Sequence, residues 1–236
     1  MILLLAAVPL ETNILRQKIT DRHESLCGQH KVISGFLCGQ KIVLAHGGIG
    51  PVTMAIQLSR LLHQYTPESI FLFGCGGCYP GRGLNIGDLA LANREIYGDL
   101  GVETADGFLP MEALKLPEDK HIAPAVQQQF DMNQDLLSWA QECLPAALVG
   151  SFVTVNCCSG TPELSQALGQ RWEGICENME GAAAAQACEQ LSIPLLELRG
   201  ISNPTGTRDP AQWDLPLGAE KAQLAILELL KNWPSE

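Results

Sequence analysis

The chain has few basic residues. Its 236 residues hold 15 Lys and Arg against 26 Asp and Glu, a formal net charge of -11, and the basic residues form no cluster. Such a surface repels nucleic acid and anionic lipid. The expected partner is therefore a free small molecule, with no nucleic acid and no membrane. Long apolar runs are missing too, since none reaches membrane-spanning length. Met1 to Val8 is apolar but short, no basic residue precedes it, and Pro9, Glu11 and Asn13 follow at once. It reads as a buried strand and not as a signal peptide. There is no internal repeat and no low-complexity tract. The nine cysteines are odd in number and scattered, unlike a disulfide framework. Cys157 and Cys158 are adjacent, an awkward geometry for a mutual bridge. Cys75 and Cys78 form a lone C-x-x-C without a second pair or a nearby His, which is no zinc pattern. Reduced thiols in a cytoplasm, and no metal, are the expectation.

Hydrophobic residues make up 46% of the chain and charged residues 17%, ordinary for a packed globular protein. The length suits one α/β domain over residues 1–236. Continuous apolar runs at Met1 to Val8 and Ser69 to Phe73 read as strands buried on both faces. Further strands are expected at Asp88 to Ala92, Leu148 to Val155 and Pro194 to Ile201, with a hairpin from Lys31 to Ala45. Helices are expected from Glu11 to Thr20, after Gly50 to Tyr65, and at Gln134 to Cys143. Others follow at Pro162 to Gly169, Met179 to Leu191 and Leu217 to Asn232. Gly98 to His121, with Pro110 and Pro117, reads as a loop. Alternation of this kind predicts an α/β fold, a central mixed and largely parallel β-sheet flanked by helices in three layers. Ligands of such sheets sit beyond the carboxyl ends of the strands. Glu11, Gly47 to Gly50, Gly74 to Gly77, Asn156 and Asn203 all fall at those ends.

Each of these residues has two readings when taken alone. Gly47 to Gly50 and Gly74 to Gly77 are glycine turns, either plain or shaped to bring backbone N–H groups close to a ligand. Neither is followed by Gly-Lys-Ser/Thr, and neither matches G-x-G-x-x-G before a helix, so no nucleotide cofactor is implied. Glu180 is either a partner of a helix dipole or a carboxylate whose acceptor oxygens suit two vicinal hydroxyls. Asn203 is either a turn residue or a ligand group. Glu11 is either a solvated residue of a helix's first turn or a general base at the mouth of the sheet.

Their order in the chain resembles that of the nucleoside phosphorylase superfamily, in particular its 5′-methylthioadenosine/S-adenosylhomocysteine nucleosidase branch. The match runs from Glu11 through Gly47-Gly48-Ile49-Gly50, Gly74-Cys75-Gly76-Gly77 and Gly87-Asp88 to Asn178-Met179-Glu180-Gly181-Ala182-Ala183 and Arg199-Gly200-Ile201-Ser202-Asn203. It spans roughly residues 1 to 232. The resemblance implies a homo-oligomer with Glu11 activating water, Met179 and Glu180 on a ribose, and Asn203 on a purine. Gly76, Gly77, Asn156 and Cys157 flank the base in this reading, with Cys75 and Cys158 beside them.

Two departures narrow the expectation. The adenine-specific nucleosidases carry Asp where this chain has Asn203. A 6-oxopurine offers an acceptor at position 6, and it leaves with a proton on N7. An amide NH₂ donates to O6 while the amide oxygen accepts from N7–H, an interaction that strengthens as the base departs. The phosphorylases carry Arg two residues before the second glycine segment, where this chain has Leu72. Phosphate without that cation is poorly held, unless Arg82 or Arg94 replaces it. Water is then the nucleophile and hypoxanthine or guanine the leaving group. The segment Gly200 to Asp209, with Trp213 beyond, resembles the futalosine-hydrolysing branch of the superfamily, which serves an alternative route to menaquinone. Futalosine carries a carboxylated aromatic ketone beyond its ribose. Arg208 is the candidate donor to that anion, or else a surface partner of Asp209 or Asp214.

Overall fold

The computed structural model describes residues 1–115 and 126–234. Strand β1 (Ile2–Ala6) is buried at all five positions. Successive side chains of a strand point to opposite faces, and here both faces are covered. Leu3 and Leu5 enter one apolar cluster, and Ile2, Leu4 and Ala6 enter another. That is why the run is continuously apolar instead of alternating. Strand β1 lies parallel between β4 (Gln40–His46) and β5 (Ser69–Cys78). Beyond β4, strands β3 (His30–Leu37) and β2 (Thr20–Cys27) form an antiparallel margin.

On its other side β5 runs parallel to β12 (Leu195–Pro204), which meets β6 (Leu89–Tyr97) antiparallel. Strands β10 (Leu148–Thr154) and β11 (Gly174–Asn178) follow in parallel, and the short β9 (Gln129–Asp131) pairs with β6. The sheet is therefore mixed. It is also not an open plane, because β11 turns back to pair antiparallel with the end of β5. Strands β5, β12, β6, β10 and β11 close a ring. Register shifts in β10 and β12 mark the bulges that bend strands to this degree.

Helices α2 (Pro51–Gln64) and α5 (Gly181–Gln190) cover one face, packing Met54, Leu58, Leu61 and Ala182 to Ala185. Helices α1 (Asn13–Lys18), α3 (Gln134–Cys143) and α6 (Leu215–Lys231) cover the other, with Leu136, Leu137, Ile226, Leu229 and Leu230 against Phe71 and Phe73. Helix α4 (Pro162–Arg171) closes a smaller cluster of Tyr79, Val153, Val155 and Leu168. No helix among the described residues is long and apolar enough to cross a membrane. All nine cysteines are free.

Several expectations change. The helix expected from Glu11 to Thr20 is a turn of 3-10 helix over Pro9–Thr12 followed by α1, which ends at Lys18. Thr20 opens β2, an edge strand whose first seven residues are all exposed and which carries no apolar alternation. Gly74 to Gly77 form no turn and lie inside β5. The Ala-rich helix begins at Gly181 and not at Met179, because buried β11 takes up the residues to Asn178. The stretch from Gly98 carries a hairpin of β7 (Gly101–Thr104) and β8 (Gly107–Pro110). Its continuation through Pro117 and His121 lies outside the described residues.

Helix α6 lies on β12 through facing glycines. A Cβ on Gly200 would meet the carbonyl oxygen of Gly218, with the Ala222 nitrogen 3.1 Å away. This contact sets the height of Leu215 and Trp213 beside the end of β12. Backbone cannot yield as a flexible side chain can, so Gly200→Ala is expected to cost about 3 kcal/mol in urea unfolding, a matching loss being absent for Gly160→Ala, where an added Cβ meets nothing nearer than 3.7 Å.

Candidate active site

The ends of β1, β5, β11 and β12 surround a cavity of about 300 Å³. The glycines of β5 make room for it in a way that differs from a turn. A Cβ on Gly74 would strike the Glu11 carboxylate, one on Gly76 would meet the Cys176 sulfur and the Arg199 stem, and one on Gly77 would lie 2.9 Å from Thr205 and 3.1 Å from Asn203. Glycine is required there so that side chains from neighbouring elements can occupy the space over the strand.

Glu11 is buried at the cavity wall. Its oxygens accept from the N–H groups of Ala7 and Val8, both at 3.0 Å, and from Cys75 N–H at 2.8 Å. Burial nevertheless pushes its carboxyl above the ordinary range; Arg199 and the backbone donors pull it down, and Glu180 adds to the rise. The result is a carboxylate more basic than a solvated one, which suits proton abstraction from water.

Glu180, also buried, sits at the N-terminus of α5 but does not cap it. Asn178 Oδ1 takes the N–H groups of Glu180 and Gly181, and Thr154 Oγ1 takes that of Ala182. Glu180 is thus free to face the cavity. Its oxygens accept from Gly50 N–H at 3.1 Å and from Arg199 Nη1 at 3.3 Å. Gly50 has φ 91°, a backbone region that glycine enters without strain, so the first glycine turn delivers its N–H to this carboxylate.

Beneath both acids lies Arg199, 2% exposed. Its Nε and Nη2 pair with Glu197 Oε1 at 2.9 Å, and Nη1 also donates to Cys75 O at 3.2 Å. Burial opposes its charge, but Glu197, Glu180 and Glu11 together hold the guanidinium above its ordinary range. Glu197 in turn touches Glu95, a fully buried acid bonded to Thr154 Oγ1 at 2.8 Å and Asn178 Nδ2 at 2.6 Å. Burial and the Glu197 charge push Glu95 well up, so Glu95 holds the proton of this pair. That proton supplies a donor to Glu197 Oε2, which has no other hydrogen-bond partner.

Asn203 follows a register shift in β12 between Ile201 and Asn203, and such a bulge re-aims the side chain beyond it. Its Oδ1 accepts from Ser202 Oγ at 2.8 Å and its Nδ2 donates to Pro204 O at 3.0 Å. One acceptor site and one N–H therefore remain. Met179, Gly76, Gly77, Cys75 and Cys158 line the same cavity. Burial pushes the Cys75 thiol up to about 12 and raises Cys158 as well, so neither is a thiolate nucleophile.

Asn156 and Cys157 do not join them. Asn156 N–H and its amide donate to Asp99 at 2.7 and 3.3 Å, and the side chain lines a separate groove with Tyr97 and Gln186. Cys157 is exposed. Strand β10 ends at Thr154, so the chain turns outward there and re-enters the cavity only at Cys158 and Ser159. Arg208 does line the cavity. Its guanidinium lies 4.4 Å from the centroid of the Trp213 ring, while Asp209 and Asp214 instead accept backbone N–H groups of Ala211 and Leu217.

The remaining arginines raised as phosphate ligands are engaged elsewhere. Arg82 donates to Gly169 O at 2.7 Å, and Arg94 pairs with Asp131 at 2.6 Å. Leu72 is buried in the core. Among the described residues, the cavity's cations are Arg199 and Arg208, and no group of three metal-ligating side chains exists. Ser159, Glu177, Thr205 and Leu215 also line the wall without having been expected. A glutamate two residues before Met179, inside a run that proves to be a buried strand, was the available signal for Glu177.

Over residues 1–231 the sequence matches the family model of the phosphorylase superfamily. The chain belongs to that superfamily. It is 36% identical over 194 residues to a futalosine hydrolase of Thermus thermophilus, covering 82% of this chain and 83% of that one. It is 27% identical to a 5′-methylthioadenosine/S-adenosylhomocysteine nucleosidase of Staphylococcus haemolyticus over 98% of each chain. The fold matches that of the S. pneumoniae nucleosidase in complex with a transition-state inhibitor, with a TM-score of 0.85, 21% identity and 99% coverage of both chains.

The Glu95–Glu197–Arg199 arrangement makes a stability prediction. Glu95→Gln keeps the neutral shape, but an amide nitrogen cannot accept as both Glu95 oxygens do, so it is expected to cost about 1–3 kcal/mol near neutral pH. Glu197→Gln leaves Arg199 without its partner and costs about 3–5 kcal/mol. Because the folded pKa of Glu95 is raised, its contribution is full below its ordinary value and is lost as pH rises through the raised value. Urea unfolding from pH 5 to 9 should therefore show Glu95→Gln gaining on wild type as pH increases.

Proposed function

We propose that the chain hydrolyses the N-glycosidic bond of futalosine, releasing hypoxanthine and dehypoxanthinyl futalosine, a step of the futalosine route to menaquinone, in the cytoplasm. The observation that carries this reading is the convergence in one cavity of Glu11, Glu180 and Asn203, with Arg199 engaged by Glu197 and Glu180 and Arg208 held on Trp213. The similarity to the Thermus thermophilus futalosine hydrolase supports it.

In this reading Asn203 takes the hypoxanthine, donating from Nδ2 to O6 and accepting at Oδ1 from N7–H. Glu180 accepts from the ribose 2′ and 3′ hydroxyls, with Met179 against the sugar. Glu11 removes a proton from water as that water adds to C1′ and the bond from C1′ to the base breaks. The electron pair of that bond leaves with the base, which takes a proton at N7 from solvent water, while Glu11 returns the proton it removed to solvent. Catalysis comes from contacts stronger in the transition state than in the ground state. Arg208, held on Trp213 at the cavity, meets the carboxylate of the substrate's aromatic end. Ile49, Val52 and Ile56 are exposed and apolar at the start of α2, which supports assembly with further copies of the chain.

The test is hypoxanthine release from futalosine and from inosine, each with and without phosphate. Release from futalosine that ignores phosphate, with inosine poor, is expected. Release that requires phosphate would mean a phosphorylase. Glu11→Gln should lower kcat by about 10²–10⁴-fold with KM little changed; an active variant would remove Glu11 from its role. Asn203→Asp should move preference toward adenine nucleosides, measured as the ratio of kcat/KM for the two bases.

A further inference from the structure

Glu177 is a buried carboxylate, 6% exposed, on the wall of the cavity, and the reaction just described makes no use of it. Its hydrogen bonds fill three of the four acceptor sites that a carboxylate offers. Oε1 accepts Ser159 N–H at 2.9 Å, and Oε2 accepts the hydroxyls of Ser159 and of Tyr79, the latter at 3.0 Å. Burial, with Glu177 itself, holds the Tyr79 hydroxyl above its ordinary range, so it stays a donor. One acceptor site, on Oε1, is left over.

Its position is specific. Glu177 is the register partner of Gly77 across β11 and β5, and Gly77 is the partner of Asn203 across β5 and β12. The two side chains stand in one row on either side of a glycine, their Cα atoms roughly 10 Å apart by strand spacing. Both line the cavity. Around a purine rim, N7, the group on C6 and N1 follow one another. A base that meets Asn203 with N7 and O6 turns N1 toward the strand beyond Gly77.

We propose that Glu177 is the specificity-determining residue that accepts the N1–H of a 6-oxopurine. This rests on the 6-oxopurine reading of the cavity. Hypoxanthine carries a proton on N1 where adenine carries a lone pair. The carboxylate attracts the first and repels the second, so rejection is built in beside attraction. Ser159 N–H, on the same wall, is already taken by Glu177 and offers no donor to an adenine N1. The single open acceptor site separates hypoxanthine from guanine as well, because guanine presents a second donor, its 2-amino group, beside N1–H.

The experiment is calorimetric titration of wild type and Glu177→Gln with hypoxanthine, 1-methylhypoxanthine, guanine and adenine. A hydrogen bond to a charged group corresponds to about ten- to hundredfold in affinity. Wild type is expected to lose that factor on N1-methylation, and Glu177→Gln to lose much less. Glu177→Gln is also expected to narrow the preference for hypoxanthine over adenine by a similar factor. A carboxylate that merely braced Ser159 and Tyr79 would move neither ratio. Equal binding of hypoxanthine and its 1-methyl form by wild type overturns the assignment without recourse to any variant. Unchanged base preference in Glu177→Gln overturns it too. A wild type that prefers adenine overturns the 6-oxopurine reading and this assignment together.

Discussion

One buried guanidinium organises the site. Among the described residues five glutamates are buried, Glu11, Glu95, Glu177, Glu180 and Glu197, against a single buried cation, Arg199. Charges in a low-dielectric interior persist only when paired, bonded or neutralised, and the five acids meet that demand in different ways. Glu197 and Glu180 share the guanidinium directly. Glu95 keeps its proton. Glu177 collects three donors from Ser159 and Tyr79. Glu11 is left with backbone N–H groups and a distant share of the arginine, which do not offset its burial. Burial therefore leaves Glu11, on the cavity wall, with its carboxyl held above the ordinary range.

The rest of the architecture follows from holding that arrangement together. Arg199 and Glu197 lie on β12, Glu180 ends the segment after β11, Cys75 lies on β5, and Glu11 follows β1. Bringing these elements to one point requires β11 to fold back on β5 and requires glycine at 74, 76 and 77, where any side chain would occupy the place of a functional one. The facing glycines 200 and 218 let α6 descend onto β12 and bring Trp213 and Leu215 to the cavity. The same closing of strands puts Glu177 and Asn203 on opposite sides of Gly77.

Much of this was legible in the residues themselves. Strands β1 and β5 announce themselves as apolar runs because both of their faces are covered. Helix α3 was bounded at the residues where it falls, with Asn133 as its N-cap. Glu11, Glu180 and Asn203 were singled out through the resemblance that their order along the chain carries, and they line one cavity. What escaped has physical causes. Strand β11 is five residues long and ends in Glu177-Asn178; polar residues buried by a network carry no hydrophobic period. Strand β2 is an exposed edge. Asn156 was assigned to the base because it follows a strand, but an outward turn after Thr154 hands it to Asp99, and nothing local in the sequence encodes that turn. The glycines of β5 read as a turn because composition does not distinguish conformational freedom from the need for space.

The central claim is that a buried, under-compensated Glu11 is a stronger base than a solvated carboxylate. It is tested most directly by infrared difference titration of wild type against Glu11→Gln, following the protonated-carboxyl band present only in wild type. The account predicts a midpoint above the ordinary glutamate value of 4.5. A midpoint at or below that value would mean that Arg199 and the three backbone donors outweigh burial, and would contradict the role of the network as described.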